Sequence, residues 1–261
     1  MTPSQAETAA KAIWANLTNG TRMDALPAGA MPGNRSDGYA VQQALMRVSG
    51  YRRYGWKIAA TSSAGQTHIG VDGPLAGSLY HERVMALGTP VPLKGISMCV
   101  AEAEFAFRMA RDLPPRSSPY TISEVMPAVE GLYPAIEIPD SRFTHFTQVG
   151  AAQLIADNAC GSLFVLGEKS RATWRDINLA GHKVKAFRNG SLAGEGSGAN
   201  VLGDPRIALT WLANELITYG LCLRAGDVVT TGTCVVPFDI APGDKIKADF
   251  DELGDISVSF C

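Results

Sequence analysis

The sequence contains little charge and no excess of one sign. Of its 261 residues 18% are charged, and the formal net charge at pH 7 is −2. The chain has no basic stripe or acidic tail, which argues against a nucleic-acid partner. No apolar run approaches the roughly 18 residues of a membrane helix, and the N-terminus lacks the pattern of a secretory signal. We therefore expect a cytoplasmic protein with neither nucleic-acid nor membrane partners.

Paired cysteines and several common motifs are also missing. The five cysteines are scattered and include no C-x-x-C pair: Cys99, Cys160, Cys222, Cys234 and Cys261. The four histidines have no spacing typical of a zinc site or a catalytic dyad. P-loops, G-x-S-x-G elbows and strand-linked G-x-G-x-x-G sequences are absent. We expect reduced thiols and none of the functions that depend on these motifs.

The hydrophobic content of 46% allows one large domain, or one domain with an appendage. Apolar residues at helical spacing predict helices over 3–18 and 36–48. Residues 1–50 are therefore predicted to form an N-terminal helical segment packed on the core, and residues 51–261 to form a β-rich core.

The β-rich part consists of short apolar runs separated by glycine, proline and aspartate. The predicted strands are 54–60, 100–107, 135–138, 162–166, 183–188, 227–231, 245–250 and 256–260. Helices are predicted at 121–130, 151–159 and 204–219, and the glycine-rich residues 194–198 are predicted to form a loop. This order indicates a sandwich or roll rather than regularly alternating β-α units.

Three glutamates interrupt apolar runs. Glu102 and Glu104 lie in the run 99–107, and Glu137 lies between two isoleucines in the run 133–140. Because side chains alternate along a strand, Glu102 and Glu104 share one face of the sheet. Clustered buried carboxylates repel one another and are costly to desolvate without a compensating cation or proton.

Two interpretations of these glutamates are open at this point. They form a site for a hard divalent ion such as Mg²⁺ or Mn²⁺, which prefers carboxylate oxygens and keeps coordination positions open for a substrate. Alternatively, they lie on a solvated sheet face and pair with lysine or arginine from a neighbouring strand. The Glu-x-Glu spacing alone does not separate the two.

Lys57 and the loop 223–233 also combine polar groups with apolar surroundings. From the sequence alone we favour a Lys57 side chain that reaches solvent at a sheet edge; the alternative is an acid–base group or carboxylate clamp. The loop has hydroxyls and a glycine that let the backbone approach a ligand, although an ordinary turn has the same composition. Asp157 lies near the end of the predicted helix 151–159, where it could cap the helix or line a pocket, although such residues are mostly structural.

Taken together, these segments resemble the 2-keto-4-pentenoate hydratase and 4-oxalocrotonate decarboxylase family of the fumarylacetoacetate hydrolase superfamily. The similarity extends from about residue 37 to the C-terminus. Its ordered segments are 37–42, 55–61, 70–72, 101–107, 111–114, 134–142, 156–158, 200–203, 211–214 and 225–233. Such a series is more specific than any single motif.

The resemblance implies an α+β fold, a mixed β-sheet roll of the fumarylacetoacetate hydrolase type with peripheral helices and the N-terminal helical segment. Residues 51–261 become the metal-binding catalytic core of a homo-oligomer, or of a complex with a related catabolic enzyme. Lys57 is expected to be catalytic, and Glu102, Glu104 and Glu137 are expected to hold Mg²⁺ or Mn²⁺. The expected substrate-binding residues are Asp72, Leu75, Asp157, Thr231, Gly232 and Thr233.

One position departs from the family pattern. Many hydratases of the family carry Gly-Val-Asp-x-Pro-Asp, whereas residues 70–75 are Gly-Val-Asp-Gly-Pro-Leu. The second aspartate assists proton transfer or water addition in those hydratases. Leu75 therefore weakens the expectation of hydration and leaves the metal site unaffected.

The implied function is a metal-dependent hydro-lyase of aromatic meta-cleavage catabolism. It would add water to a small 2-hydroxy-2,4-dienoic acid, through the 2-oxo-3-enoate tautomer, to give a 4-hydroxy-2-oxo acid. A 4-oxalocrotonate-type decarboxylase and an acylpyruvate C–C hydrolase are alternatives that need the same metal-enolate chemistry. A non-catalytic partner subunit is a further alternative, against which the intact glutamates and Lys57 argue.

Overall fold

The computed structural model describes all residues from 1 to 261, with short 3-10 turns between the main elements. The helices are α1 (Pro3–Asn19), α2 (Arg35–Ser49), α3 (Ser63–Ile69), α4 (Ile122–Val125), α5 (Gly150–Ala156) and α6 (Pro205–Thr218). The strands are β1 (Arg53–Ala59), β2 (Leu75–Tyr80), β3 (Val84–Met85), β4 (Val100–Met109), β5 (Val129–Ile138), β6 (Leu163–Leu166), β7 (Lys183–Arg188), β8 (Ser191–Ser197), β9 (Val228–Thr233), β10 (Phe238–Asp239), β11 (Lys245–Asp249) and β12 (Asp255–Ser259).

Local signals account for the long elements. The predicted helices at 3–18 and 36–48 form as α1 and α2, and their first turns are capped by the side chains of Thr2 and Asn34. The predicted helix at 204–219 forms as α6 and is capped by Asp204. No helix is long and apolar enough to cross a lipid bilayer.

Other local predictions were wrong or incomplete where strand pairing decides the structure. The helix predicted at 121–130 ends after one turn, because the chain enters β5 at Val129 and pairs with β4. The predicted loop at 194–198 lies mostly in β8, which pairs with β7. Helix α3 and strand β2 were not predicted. Helix α3 has no buried residue and therefore lacks apolar periodicity, whereas β2 is buried along its whole length and lacks the alternation of a half-buried strand.

The large sheet is mixed and strongly curled. Its strand order is β2-β1-β9-β4-β5-β6-β3, with β10 also paired to β4. The β1–β9 and β3–β6 pairs are parallel, and the others are antiparallel. Only residues 81–83 join the two end strands, β2 and β3.

This short connection explains the curl. Three residues bridge at most about 14 Å, whereas seven flat strands about 4.8 Å apart are about 29 Å across. The sheet must therefore roll up until its end strands approach each other, which gives the roll an interior and an exterior. The mixed sheet roll with helices outside it confirms the predicted α+β class.

Strand β4 contributes alternate residues to the two sides of the roll. Phe105 and Phe107 belong to the main hydrophobic core, and Phe105 packs edge-on against Phe250, with 5.0 Å between ring centroids. Phe250 follows β11 of the second, antiparallel sheet, whose order is β12-β11-β7-β8. Ala106 faces the interior, in a smaller apolar cluster with residues such as Tyr133 and Phe164.

The N-terminal helices pack on this core through a separate apolar cluster. Ile13 of α1 and Val41 of α2 are fully buried in it together with Ala156 at the end of α5. The Nε2 of Gln42 donates hydrogen bonds to the carbonyl oxygens of Ala76 and Ile155, at 3.0 and 3.1 Å. The division of the chain at residue 50 stays a prediction.

Candidate active site

The interior of the roll brings the three glutamates together. Glu102 lies directly opposite Glu137 in the β4–β5 ladder, and Glu104 follows on the same face of β4. One carboxylate oxygen from each of the three lies within 4.8 Å of the others. Glu104 and Glu137 are completely buried and Glu102 is half-buried, so the solvated sheet face considered for them was wrong.

Glu104 is held through only one of its oxygens. Its Oε2 accepts hydrogen bonds from Thr230 Oγ1 at 2.5 Å and from the Gly232 backbone N–H at 2.7 Å. Its Oε1 and the Oε2 of Glu137 are buried without a partner, and the Oε1 of Glu137 has only the Lys57 ammonium 3.2 Å away. Unpartnered buried carboxylate oxygens are costly, so these atoms need a ligand.

Lys57 faces the same interior. Its Nζ lies 3.2 Å from Glu137 Oε1 and donates a hydrogen bond to the backbone oxygen of Ala159 at 3.0 Å. The residue is 2% exposed, and its strand β1 lies between β2 and β9 rather than at an edge. The side chain reaching solvent at a sheet edge, which we had favoured, is therefore wrong.

Burial and mutual repulsion dominate the electrostatics of the site. Burial, followed by the charges of Glu137 and Glu102, raises the pKa of Glu104 well above its ordinary range. Burial also raises the pKa of Glu137 to about 7, against the opposing effect of Lys57. Burial by itself lowers the pKa of Lys57, but the three carboxylates outweigh it and the net shift is upward. Lys57 therefore keeps its positive charge.

The donor set fits a divalent cation. With a cation bound, three ionised carboxylates and one lysine would carry two excess negative charges in a buried space, which equals the charge of one such ion. The atoms free to coordinate an ion are all carboxylate oxygens, the ligands that hard ions such as Mg²⁺, Mn²⁺ and Ca²⁺ prefer. Glu102, Glu104 and Glu137 would hold the ion.

The loop 223–233 lies against this site, but the hydroxyls of Thr231 and Thr233 are engaged in other contacts. The Thr231 hydroxyl donates to the backbone oxygen of Phe105 at 2.9 Å, and the Thr233 hydroxyl donates to the backbone oxygen of Val235. A Cβ at Gly232 would lie 2.2 Å from Thr61 Oγ1, so no side chain fits there. The loop therefore supports Glu104 through the Thr230 hydroxyl and the Gly232 N–H.

Asp157 is part of a buried ion pair. Its carboxylate accepts hydrogen bonds from Ser141 Oγ at 2.7 Å and from the Arg142 N–H at 2.9 Å, and it also pairs with the Arg142 guanidinium. Burial raises the pKa of Asp157 despite that guanidinium. All the contacts of its side chain are made within the protein, next to the turn that contacts Lys57.

Asp72 and Leu75 stand at the start of β2. Asp72 is exposed in the turn between α3 and β2. Leu75 is fully buried and pairs with Ala59, while Gly77 pairs with Lys57 two positions further along β1. Alternation therefore places Leu75 on the same face of the sheet as Lys57.

Two contacts of the site were missing from the predicted site residues. Thr230, which binds Glu104, has a detectable signal, because alternation from Val228 places it on the interior face of β9. The Ala159 carbonyl, which accepts from Lys57, has none, since any residue can supply a backbone oxygen.

Comparisons with known proteins place the chain in a family. The profile of the fumarylacetoacetate (FAA) hydrolase C-terminal family matches residues 71–260. The 2-keto-4-pentenoate hydratase of Burkholderia vietnamiensis (strain G4 / LMG 22486) is 34% identical over 231 residues, covering 87% of each chain. That of Paraburkholderia xenovorans (strain LB400) is 31% identical over 263 residues, covering 100% of this chain and 96% of the relative.

Solved structures show the same architecture. The 4-oxalocrotonate decarboxylase from Pseudomonas putida G7, complexed with magnesium and adipate, matches with a TM-score of 0.88 and 26% identity. The match covers 100% of this chain and 99% of that one. The same enzyme complexed with calcium and acetate matches with a TM-score of 0.87. The roll, the buried carboxylates and the near full-length sequence matches show that the chain belongs to the fumarylacetoacetate hydrolase family.

Proposed function

We propose that the protein is a metal-dependent hydratase that converts a 2-hydroxy-2,4-dienoate into a 4-hydroxy-2-oxo acid. The observation that carries the proposal is the buried trio Glu102, Glu104 and Glu137, whose free oxygens face the interior beside a charged lysine. The relatives support the reaction type, since one is named 2-keto-4-pentenoate hydratase and another, from Comamonas testosteroni, 2-hydroxyhexa-2,4-dienoate hydratase. Such an enzyme is a hydro-lyase of aromatic meta-cleavage catabolism.

A divalent cation bound at the trio would supply positive charge beside the substrate's carboxylate and 2-oxo oxygens, where negative charge develops. In the first step the enol O–H proton leaves O2 and a proton is added at C5, which gives the 2-oxo-3-enoate. Water then adds across C3=C4, with its hydroxyl at C4 and its proton at C3.

Lys57 would carry protons in these steps. Its ammonium has three N–H donors, of which one binds the Ala159 oxygen and another points to Glu137. The third is available to the substrate. Because Lys57 is buried, a proton held at Nζ would be shielded from exchange with bulk water.

The remaining substrate contacts belong to the same proposal. The substrate's path would be lined by Asp72, Leu75 and the backbone of residues 231–233. Asp157 would act indirectly, by holding Arg142 and the turn after α5 in place. We further propose that Mg²⁺ or Mn²⁺ is the working ion, and that the enzyme is a cytoplasmic homo-oligomer. A complex with a related catabolic enzyme is an extension of this proposal.

Decarboxylation is the second candidate, and a specific residue favours it. Leu75 is an apolar side chain at the position where the resemblance implies an aspartate in many hydratases of the family, and the decarboxylase from Pseudomonas putida G7 shares the whole fold. In a decarboxylase the electrons left by the departing CO₂ would be accepted by the same 2-oxo group. The carboxylate trio serves both reactions and cannot distinguish them.

The deciding experiment supplies three substrates to the purified protein with Mg²⁺. These are 2-hydroxypenta-2,4-dienoate, 2-oxohex-3-enedioate and an acylpyruvate. Loss of the dienol absorbance with formation of a 4-hydroxy-2-oxo acid, and no CO₂, supports the hydratase. Release of CO₂ from the enedioate would replace it with the decarboxylase, and cleavage of the acylpyruvate with the C–C hydrolase.

A non-catalytic partner subunit is tested in the same assay. If the wild-type protein binds Mg²⁺ but converts none of the substrates, and Glu104→Gln changes nothing that can be measured, the catalytic proposal is wrong. Glu195→Gln, on the exposed strand β8, is the matched control because its carboxylate lies outside the site.

A further inference from the structure

The turn that touches Lys57 has an unusual backbone. Asn158, Ala159 and Cys160 have φ values of 57, 50 and 59°, so three successive residues with side chains are left-handed. Left-handed backbone is unfavourable for L-residues and occurs routinely only at glycine and occasionally at asparagine. A conformation of this kind persists where the surroundings enforce it, and such places cluster at functional sites.

The Asn158 side chain supplies the enforcing contact. Its Oδ1 accepts a hydrogen bond from the Ser78 N–H at 2.6 Å, and its Nδ2 donates to the Ser78 oxygen at 2.8 Å. Strand β2 is at the edge of the order, so these backbone groups point away from β1. The amide therefore pairs with β2 as a strand residue would. Asn158 is 3% exposed.

The same contact places the Ala159 oxygen over Lys57. Gly77, beside Ser78, pairs with Lys57 across the β1–β2 ladder. A Cβ at Gly77 would lie 2.2 Å from the backbone oxygen of Asn158 and 3.1 Å from Lys57 Cδ, so only glycine lets the turn come this close. The turn then presents the Ala159 oxygen 3.0 Å from Nζ.

We propose that Asn158 is a positioning residue for proton transfer by Lys57. Its amide binds the backbone of Ser78 and holds the left-handed turn, so that the Ala159 carbonyl fixes the direction of the Lys57 ammonium between Glu137 and the substrate. This inference rests on the proposed function for the identity of the reaction. The geometry of the turn does not depend on it.

Two variants separate the side-chain contact from the backbone conformation. Asn158→Gly permits the left-handed backbone but removes the amide, whereas Asn158→Asp retains an acceptor for the Ser78 N–H and loses the donor. We expect Asn158→Gly to lower kcat about 10- to 100-fold, the scale of a small misplacement of a reacting group. Asn158→Asp should recover part of that loss. KM and the Kd for Mg²⁺ should change less than kcat does, because the Asn158 amide binds Ser78 and none of the three glutamates.

Asn178→Ala is the matched control, because Asn178 also accepts a backbone hydrogen bond, from Gly181 at 3.2 Å, but on an exposed turn. It should leave all three constants unchanged. If Asn158→Gly retained full kcat, or if kcat, KM and Mg²⁺ affinity deteriorated together, the positioning role would be wrong.

A crystal structure of Asn158→Gly makes the test independent of the reaction. The proposal requires the Ala159 oxygen to move out of hydrogen-bond range of Lys57 Nζ; an unchanged contact would overturn it. If the wild-type protein converted none of the dienoates while this contact was lost in the variant, the proposed function would fail and the positioning of Lys57 by Asn158 would stand.

Discussion

The Nζ of Lys57 lies 3.2 Å from Oε1 of Glu137, and the two side chains are 3% and 0% exposed. A cation held by the trio as proposed would therefore share one carboxylate with the lysine. The lysine compensates part of the negative charge of the trio and repels the ion that would compensate the rest. Removal of the lysine charge should therefore strengthen metal binding and lower turnover.

Replacing the lysine should separate these two properties. Lys57→Met removes the positive charge at nearly constant volume, so Mg²⁺ should bind more tightly, as measured by calorimetry. Turnover should fall at least about 100-fold, the usual scale for loss of an acid–base group. Lys185→Met is the matched control, since Lys185 pairs with Glu195 at 3.8 Å on an exposed surface. Weaker Mg²⁺ binding in Lys57→Met would contradict the charge argument.

Replacing Glu104, a proposed metal ligand, should weaken Mg²⁺ binding without destabilising the metal-free protein. In Glu104→Gln the amide oxygen can still accept from Thr230 and Gly232, while the buried charge is gone. Because burial and neighbouring carboxylates raise the pKa of Glu104, the metal-free variant should melt at the same or a higher temperature than the wild type. Its Mg²⁺ affinity should fall at least about 100-fold, more than is typical when an outer partner is lost. Thermal melts with and without Mg²⁺ measure both effects.

Leu75 offers a direct test of reaction choice. Leu75→Asp introduces a carboxylate on the site-facing side of β2, two positions from Gly77. We expect it to increase the share of hydrated product from an enedioate substrate relative to CO₂ release. Leu75→Asn has the same shape without the charge and should leave the product ratio near that of the wild type. An unchanged ratio in both variants would show that this position does not determine the reaction.

The Arg142–Asp157 pair should behave as a structural element. Asp157→Asn leaves a buried guanidinium without its counter-charge, so we expect the free energy of unfolding to fall by about 3–5 kcal/mol. Mg²⁺ affinity should be retained, because Asp157 makes none of the contacts of the trio. Asp112 forms an exposed ion pair with Arg224 at 3.5 Å, so Asp112→Asn should lower the free energy of unfolding by less than about 1 kcal/mol. Denaturant titration measures both variants, and loss of Mg²⁺ binding in Asp157→Asn would place Asp157 in the site.

Thiol labelling should report burial and pKa together. Burial raises the pKa of Cys160 to about 12, so at pH 8 almost none of it is thiolate, whereas Cys261 is exposed. Iodoacetamide at pH 8 should therefore modify Cys261 and leave Cys160 unmodified in the folded protein. Raising the pH towards 9 should not change this order. Peptide mass spectrometry identifies the modified residue, and Cys261→Ser should remove the rapid reaction.

The sequence predicts the faces of strands better than it predicts their neighbours. Alternation alone assigned Glu102 and Glu104 to one face, and the structure confirms this assignment. Alternation does not predict that Glu137 lies opposite Glu102, because that contact joins distant parts of the chain. Family resemblance supplied the missing long-range information.

Lys57 shows the limit of local analysis in physical terms. A lysine in an apolar strand has a low cost at an edge and a high cost inside, so the residues alone favour an edge. The resemblance implied a catalytic Lys57 instead, and the strand order places β1 between two other strands. Its second partner, the Ala159 carbonyl, depends on a left-handed turn of residues that rarely adopt it. Neither fact has a signature in the residues around Lys57.

Strand β4 alternates between Glu104, which faces the carboxylate cluster, and Phe105, which packs in the main core. A one-residue slip of this strand would exchange the two faces and place a phenyl ring among the carboxylates. Misregistered molecules would thus lose their ion site and their core packing in the same event. With the trio as the proposed ion site, the stoichiometry of bound Mg²⁺ would measure the fraction of correctly assembled protein in a preparation.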